Sequence, residues 1–176
     1  MTPEGEWPEA TLGLGGNLGD PEKAMARALS GLDTRADTQV VAVSRLYRTP
    51  PWGKIDQADF LNCCAVVKTR LAPQALLDAC LDQEREMKRV RGERYGPRTL
   101  DIDVLTYDGL EIETDRLKIP HPRMLQRGFV LLPLAEAAPS LVIRGRSVEA
   151  WLAEADLTGI EPLSRAEDWW RIAATE

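Results

Sequence analysis

The run TLDIDVLTYDG, residues 99–109, constrains the fold more than any other stretch of the chain. Successive side chains of a strand point to opposite faces, so Asp101 and Asp103 share one face while Leu100, Ile102 and Val104 share the other. Such a strand packs on one side: its apolar face fills a core and its acidic face stays open. The two carboxylates then stand roughly 6–7 Å apart, at about 3.3 Å of rise per residue. Asp108-Gly109 is a tight-turn signal, and the LEIE that follows reads as the return arm of a hairpin with this strand.

The other segments supply partners. Residues 10–20 read as a short strand running into a glycine-rich turn. Pro21 then opens a helix, with Asp20 as its N-cap and Glu22 in the first turn. Residues 38–49, TQVVAVSRLYRT, are β-branched and alternating and read as one strand. A proline-rich loop leads to a further strand at 59–69, and Leu76, Leu77 and Leu81 mark a helix over 72–90. Residues 119–139 begin as a loop and continue as a helix kinked near Pro133; Ser147 caps another short helix. The order βαββαβ predicts an α+β fold: a ferredoxin-like antiparallel sheet with helices packed on both faces. Residues 1–10 read as a flexible acidic arm and 11–176 as a single domain. Trp169 and Trp170 are expected to pack somewhere the sequence does not define.

A net charge of −6 over 176 residues lacks the basic footprint of a general nucleic-acid or membrane-surface binder. The three cysteines, Cys63, Cys64 and Cys80, fit no metal-binding spacing and read as small buried residues of a reduced protein. His121 is the only histidine, which excludes histidine-rich metal sites. There is neither a secretory leader pattern nor a run of about 18 apolar residues. The expectation is a cytoplasmic protein, monomeric, with no nucleic-acid or membrane partner.

Against this acidic background, residues 85–98 gather six cations (Arg85, Lys88, Arg89, Arg91, Arg94, Arg98) against two anions (Glu86, Glu93). Guanidinium forks bind phosphate oxygens bidentately and stay charged at any relevant pH. Two carboxylates on one strand face repel unless a cation lies between them, and Mg2+ takes oxygen ligands completed by water and substrate phosphates. Taken singly, each feature has a blander reading: cations complementing a helix C-terminus, or D-x-D as a turn signal. Together they point to metal-assisted phosphoryl chemistry, and the residues alone carry the reading no further.

The string RYGPRTLDIDVLTYDG, residues 94–109, resembles the signature of the 6-hydroxymethyl-7,8-dihydropterin pyrophosphokinases. LGGNLGD (14–20), SRLYRTPPWG (44–53), QADFLNCCAVV (57–67), LLDACLDQEREMKRVR (76–91) and IPHPRMLQRGFVLLPLAEAAP (119–139) follow the family's order. The resemblance implies transfer of diphosphate from ATP to the hydroxymethyl oxygen of the dihydropterin, with AMP released and two Mg2+ ions used. It assigns the metal to Asp101 and Asp103, and catalysis to these with Arg89 and Arg98. It assigns ATP to Glu84, Arg89, Arg91, Arg94, Arg98, Val104, Arg116, His121 and Arg127. Its pterin residues are Phe60 and Phe129 as stacking rings, Asn62 at the ring edge, Gly15 as a backbone contact, Thr49, Pro50 and Trp52 as pocket lining, and Tyr95 as a cap.

The chain departs from the family pattern in places. Gly16 replaces a serine, Phe60 a frequent tyrosine and Tyr95 a frequent tryptophan. The arginine loop is one residue shorter than in some relatives, leaving Lys88 as an alternative to Arg89. Two rival readings stay open from the residues alone. One is a ferredoxin-like RNA-binding module, disfavoured by the acidic charge and 6% aromatic content. The other is a D-x-D glycosyltransferase, for which 176 residues leave little room.

Overall fold

The computed structural model describes residues 6–50, 58–91, 100–164 and 168–175. In chain order they form β1 (Glu9–Gly16), α1 (Pro21–Asp33), β2 (Thr38–Val43), β3 (Tyr47–Thr49) and β4 (Phe60–Thr69). There follow α2 (Pro73–Arg91), β5 (Asp101–Tyr107), β6 (Ile112–Glu113), β7 (Lys118–Ile119) and, after a 3-10 turn, α3 (Gly128–Ala137). Last come β8 (Val142–Ile143), β9 (Arg146–Ser147), α4 (Val148–Ala153), β10 (Glu161–Pro162) and α5 (Trp169–Thr175).

The main sheet is antiparallel, in the order β10-β3-β4-β1-β5, with β2 also pairing β4. β4 alternates in a way that builds two layers. Cys63, Ala65 and Val67 pack with α1, α2 and α5, whereas Cys64 and Val66 pack with Leu131 and Leu134 of α3 and Val148 of α4. All three cysteines are buried free thiols. Burial pushes each upward, Cys80 to about 12, so they are protonated packing residues at neutral pH.

Local chemistry accounts for the helix starts. Asp20 Oδ1 accepts the Lys23 N–H at 3.1 Å and Pro21 opens α1; Ser147 Oγ accepts the Ala150 N–H at 3.1 Å at the start of α4.

Three expectations are corrected. Residues 38–49 form two strands rather than one, because Ser44 interrupts the ladder. Its Oγ accepts the Cys64 N–H at 3.0 Å, and its own N–H donates to Cys64 O at 2.9 Å, so a hydroxyl replaces a backbone acceptor there. The hairpin expected after β5 does not form. Asp108 and Gly109 do make a tight turn, with φ of 48° and 70°, but β6 pairs with β7 instead. Thr114 explains the choice: its Oγ1 accepts the Leu117 N–H at 3.0 Å and donates to Leu117 O at 3.1 Å, closing the β6–β7 connection locally. Lastly, strand pairing already includes Glu9 and Ala10, and Pro8 O accepts the Thr69 N–H at 2.9 Å, where an arm through residue 10 is expected.

The β1–β5 ladder shifts register between Thr11 and Leu12: Leu12 opposes Val104 and Thr11 opposes Thr106. Leu105 is the extra residue of a bulge. Asp101, Asp103 and Leu105 therefore share one face, while Tyr107 returns to the core on the other. Beyond Pro139 the chain comes back to the sheet. β10 pairs β3, the Leu163 N–H donates to Leu46 O at 2.8 Å, and Trp169 Nε1 donates to Ser44 O at 3.0 Å. Trp169 and Trp170 are buried in the α1-side core.

Candidate active site

The acidic face of β5 meets a glycine strip on β1. Asp101 opposes Gly15 and Asp103 opposes Gly13; across β1, Gly15 opposes Asn62 and Gly13 opposes Cys64. Glycine in the middle strand leaves a floor without side chains. Above it lies a cavity of about 330 Å³. The approach is close at Gly15, where a Cβ would stand 2.6 Å from Asn62 Oδ1. Asn62 Nδ2 donates to Thr49 Oγ1 at 2.8 Å, which fixes the plane of the amide. Phe60 and Phe129 line the walls, and the Arg127 guanidinium sits 5.7 Å from the centre of the Phe129 ring.

A second cavity, of about 230 Å³, lies beside the first, and Asp103 lines both. Its character is different: Arg116, Lys118 and His121 line it with Asp115 and Val104, so charged groups replace the aromatic walls. The His121 N–H donates to Leu105 O at 2.9 Å, so the bulge in β5 also anchors the histidine. Nδ1 of His121 accepts the Arg123 N–H at 3.2 Å, so the neutral ring carries its proton on Nε2. Burial holds the imidazole below its ordinary pKa; Asp103 acts in the other direction, and Arg127 and Arg123 lower it further.

Of the expected pterin residues, the first cavity brings together Gly15, Thr49, Pro50, Phe60, Asn62 and Phe129. Asp101 and Asp103 line it too, as does Arg127, which was expected among the ATP residues. Of the other expected ATP residues, Val104, Arg116 and His121 line the second cavity. Arg116 is tied to α2, donating to Asp78 Oδ1 at 2.5 Å and to Gln74 Oε1 at 3.4 Å. Glu84 is engaged by the sheet: its Oε1 accepts the Ile102 N–H at 2.7 Å, the backbone group lying between the two aspartates. Trp52, Arg94, Tyr95 and Arg98 lie outside the described residues, as do the side chains of Arg89 and Arg91. Sequence reasoning passed over Gly13 and Lys118. The alternating glycines of LGLGG signalled a bare strand face at Gly13; nothing local marked Lys118.

Among the described residues no group of three or more His, Cys, Asp and Glu side chains is gathered to hold a metal ion. The two aspartates offer oxygen donors alone, on one face, in the wall of a cavity. That set fits Mg2+, which binds through one or two carboxylates and takes its remaining ligands from water and substrate phosphates. It lacks the histidine or cysteine donors that zinc sites are usually built around. No helix among the described residues is long and apolar enough to cross a membrane.

An antiparallel sheet with helices on both faces, an aromatic-walled cavity beside a charged one, and Asp103 in the wall of both, defines the class as an α+β protein. The chain belongs to the 7,8-dihydro-6-hydroxymethylpterin-pyrophosphokinase family, whose model matches residues 11–139. It is 49% identical over 152 residues to the 2-amino-4-hydroxy-6-hydroxymethyldihydropteridine pyrophosphokinase of Methylorubrum extorquens, covering 86% of this chain and 96% of that one. It is 44% identical over 156 residues to the Pseudomonas aeruginosa enzyme of the same name, covering 88% and 96%. Among solved structures, Plasmodium falciparum HPPK-DHPS superposes with a TM-score of 0.66 at 16% identity. That match covers 87% of this chain and 44% of the parasite chain, so the chain spans under half of that longer protein. Membership of the family leaves the RNA-binding and glycosyltransferase readings without support.

Proposed function

We propose that this protein transfers diphosphate from ATP to the hydroxymethyl oxygen of 6-hydroxymethyl-7,8-dihydropterin, releasing AMP, as a step of folate biosynthesis. The observation that carries the reading is that Asp103 lines both cavities, one walled by Phe60 and Phe129 and the other offering Arg116, Lys118 and His121 to a phosphate chain. The reaction requires that juxtaposition, since the ring's hydroxyl must meet the phosphate chain at one point.

In this reading Phe60 and Phe129 hold the pterin between their faces. Asn62 offers an acceptor and a donor to the ring edge, while Thr49 fixes the amide's orientation. Bare backbone at Gly15 lets the ring sit low, and Pro50, Trp52 and Tyr95 complete the enclosure. On the nucleotide side Arg116 and His121 face the phosphates and ribose, with Val104 as an apolar contact. Arg127 contributes its charge from the wall of the first cavity, and Glu84 acts through β5. Arg89, Arg91, Arg94 and Arg98 neutralise the phosphates and exclude water. Two Mg2+ ions held by Asp101 and Asp103 would supply charge neutralisation at the transferring phosphates. The carboxylate of Asp103 orients the attacking hydroxyl.

The strand order β2-β4-β1-β5, antiparallel throughout, supports reading the frame as ferredoxin-like βαββαβ. The same reading treats 11–176 as one domain of a monomeric cytoplasmic enzyme without a nucleic-acid partner.

The test is 31P NMR of a reaction containing ATP, Mg2+ and the dihydropterin. Two mutually coupled phosphorus signals on the pterin product are expected. A single uncoupled phosphorus on the pterin, or no pterin phosphate at all, would overturn the reading.

A further inference from the structure

We propose that Glu136 is a positioning residue for the ring-binding cavity, setting the spacing between α3 and β3 and thereby the width of the cavity. The inference rests on the pterin reading of that cavity.

Three donors converge on the one carboxylate. The Tyr47 hydroxyl donates to Oε1 at 2.7 Å, Arg45 Nε donates to Oε1 at 2.8 Å, and the Arg45 backbone N–H donates to Oε2. Arg45 Nη2 also reaches the Tyr47 oxygen at 3.3 Å, so the four groups form a closed network. Burial works to raise the Glu136 pKa, yet the Arg45 backbone N–H, the Tyr47 hydroxyl and the guanidinium outweigh it. The carboxyl is held below its ordinary value and is ionised at neutral pH. The converse holds for Tyr47, which burial and Glu136 push up to about 12, leaving its hydroxyl a donor.

The position of this network relates it to the cavity. Glu136 and Phe129 are seven residues apart on α3, two helical turns, and so share a helix face. Tyr47 and Thr49 are two residues apart on β3 and so share a strand face. The Tyr47–Glu136 contact thus lies on the same two surfaces that carry Thr49 and Phe129 into the cavity. Thr49 in turn holds Asn62. A shift of α3 from β3 moves one stacking wall away from the edge-reading amide.

Pro133 adds to the importance of such a tie. It lies inside α3 and has no N–H to donate to the carbonyl of Phe129, four residues earlier. The turn that carries Phe129 lacks that bond; Leu131 and Leu134 hold the middle of the helix on β4, and Glu136 ties its far end to β3.

The experiment combines kinetics with a readout that needs no ligand. The chain has two phenylalanines, so fluorophenylalanine labelling gives two 19F signals, assigned by replacing Phe60 with leucine. Glu136→Gln should move the Phe129 resonance while the protein stays folded. It should raise the KM for the dihydropterin on the order of tenfold, the loss expected for a charge-assisted hydrogen bond, and leave the KM for ATP and kcat within about twofold. Tyr47→Phe, a smaller lesion, should shift the same KM in the same direction. The double variant should be no worse than Glu136→Gln alone, because both act through one contact. An unmoved Phe129 signal, or equal losses for both substrates, would overturn the proposal. If the wild-type protein does not turn over the pterin, the functional reading fails instead, and the 19F result still decides whether Glu136 positions α3.

Discussion

At the scale of single residues, the site depends on what is missing as much as on what is present. Gly13 and Gly15 keep the floor clear between the aspartates of β5 and the polar groups of β4. Glycine in a strand interior usually costs stability relative to alanine, so Gly15 runs against local preference. The close approach of Asn62 Oδ1 explains it. Gly15→Ala should leave the fold intact, with a stability change within about 1 kcal/mol. It should nevertheless weaken dihydropterin binding on the order of tenfold, because the amide must leave the plane that Thr49 sets for it. Thermal unfolding and calorimetric titration of the pterin check both parts; unchanged affinity would mean that Asn62 does not read the ring. The paired aspartates were legible from the sequence, since alternation in a strand is local. The residues facing them were not: register is fixed by contacts across about 50 to 90 positions of chain, from Asp101 and Asp103 to β1 and from β1 to β4.

At the scale of elements, β5 is an edge strand among the described residues, paired with β1 and held besides by the Glu84 side chain and the His121 N–H. Glu84 reaches from α2 to the N–H between Asp101 and Asp103 and so holds the acidic end of the strand to the helix that leads into the arginine segment. Glu84→Gln keeps an oxygen acceptor and should retain most activity. Glu84→Ala leaves that N–H without this partner and should cost about 1 kcal/mol of stability, the low end for a partly buried group, with kcat falling as the strand end loosens. Chemical denaturation and steady-state kinetics of the two variants distinguish this from a direct nucleotide contact, in which the loss of charge in Glu84→Gln would itself raise the KM for ATP. Element types were largely legible, because 3.6-residue and two-residue periodicities are written into α1, α2, β4 and β5. The break between β2 and β3 was not, since it depends on a hydroxyl meeting a strand 20 residues away. Nor were β6–β7 and β10, two-residue strands too short to carry a period.

At the scale of the whole molecule, the two layers divide the work. The face covered by α1, α2 and α5 contains the larger core, while α3 and α4 cover part of the other face and leave the aromatic-walled cavity beside α3; the second cavity lies at the β5 edge, against Leu77 of α2. The chain after Pro139 serves the second arrangement. A Cβ on Gly128 would meet Asp156 O at 2.3 Å, and one on Gly159 would meet Pro50 Cγ at 3.0 Å, so the 156–159 segment abuts both walls of the ring-binding cavity. Nothing in the composition of that segment announced this, for the approach to Gly128 is made by the Asp156 carbonyl together with a single leucine, Leu157. The two cavities meet at one carboxylate, that of Asp103, which lines both.

The most direct test of that junction is Asp103→Asn, which keeps the shape and removes the charge. Turnover and pterin affinity are measured on the same preparation. The account predicts that kcat falls on the order of 100-fold or more, as for loss of a group that acts where charge develops, while the dihydropterin still binds within a few-fold of the wild-type protein. Near-normal turnover would contradict it, and Asp103 would then be no more than a wall of two cavities.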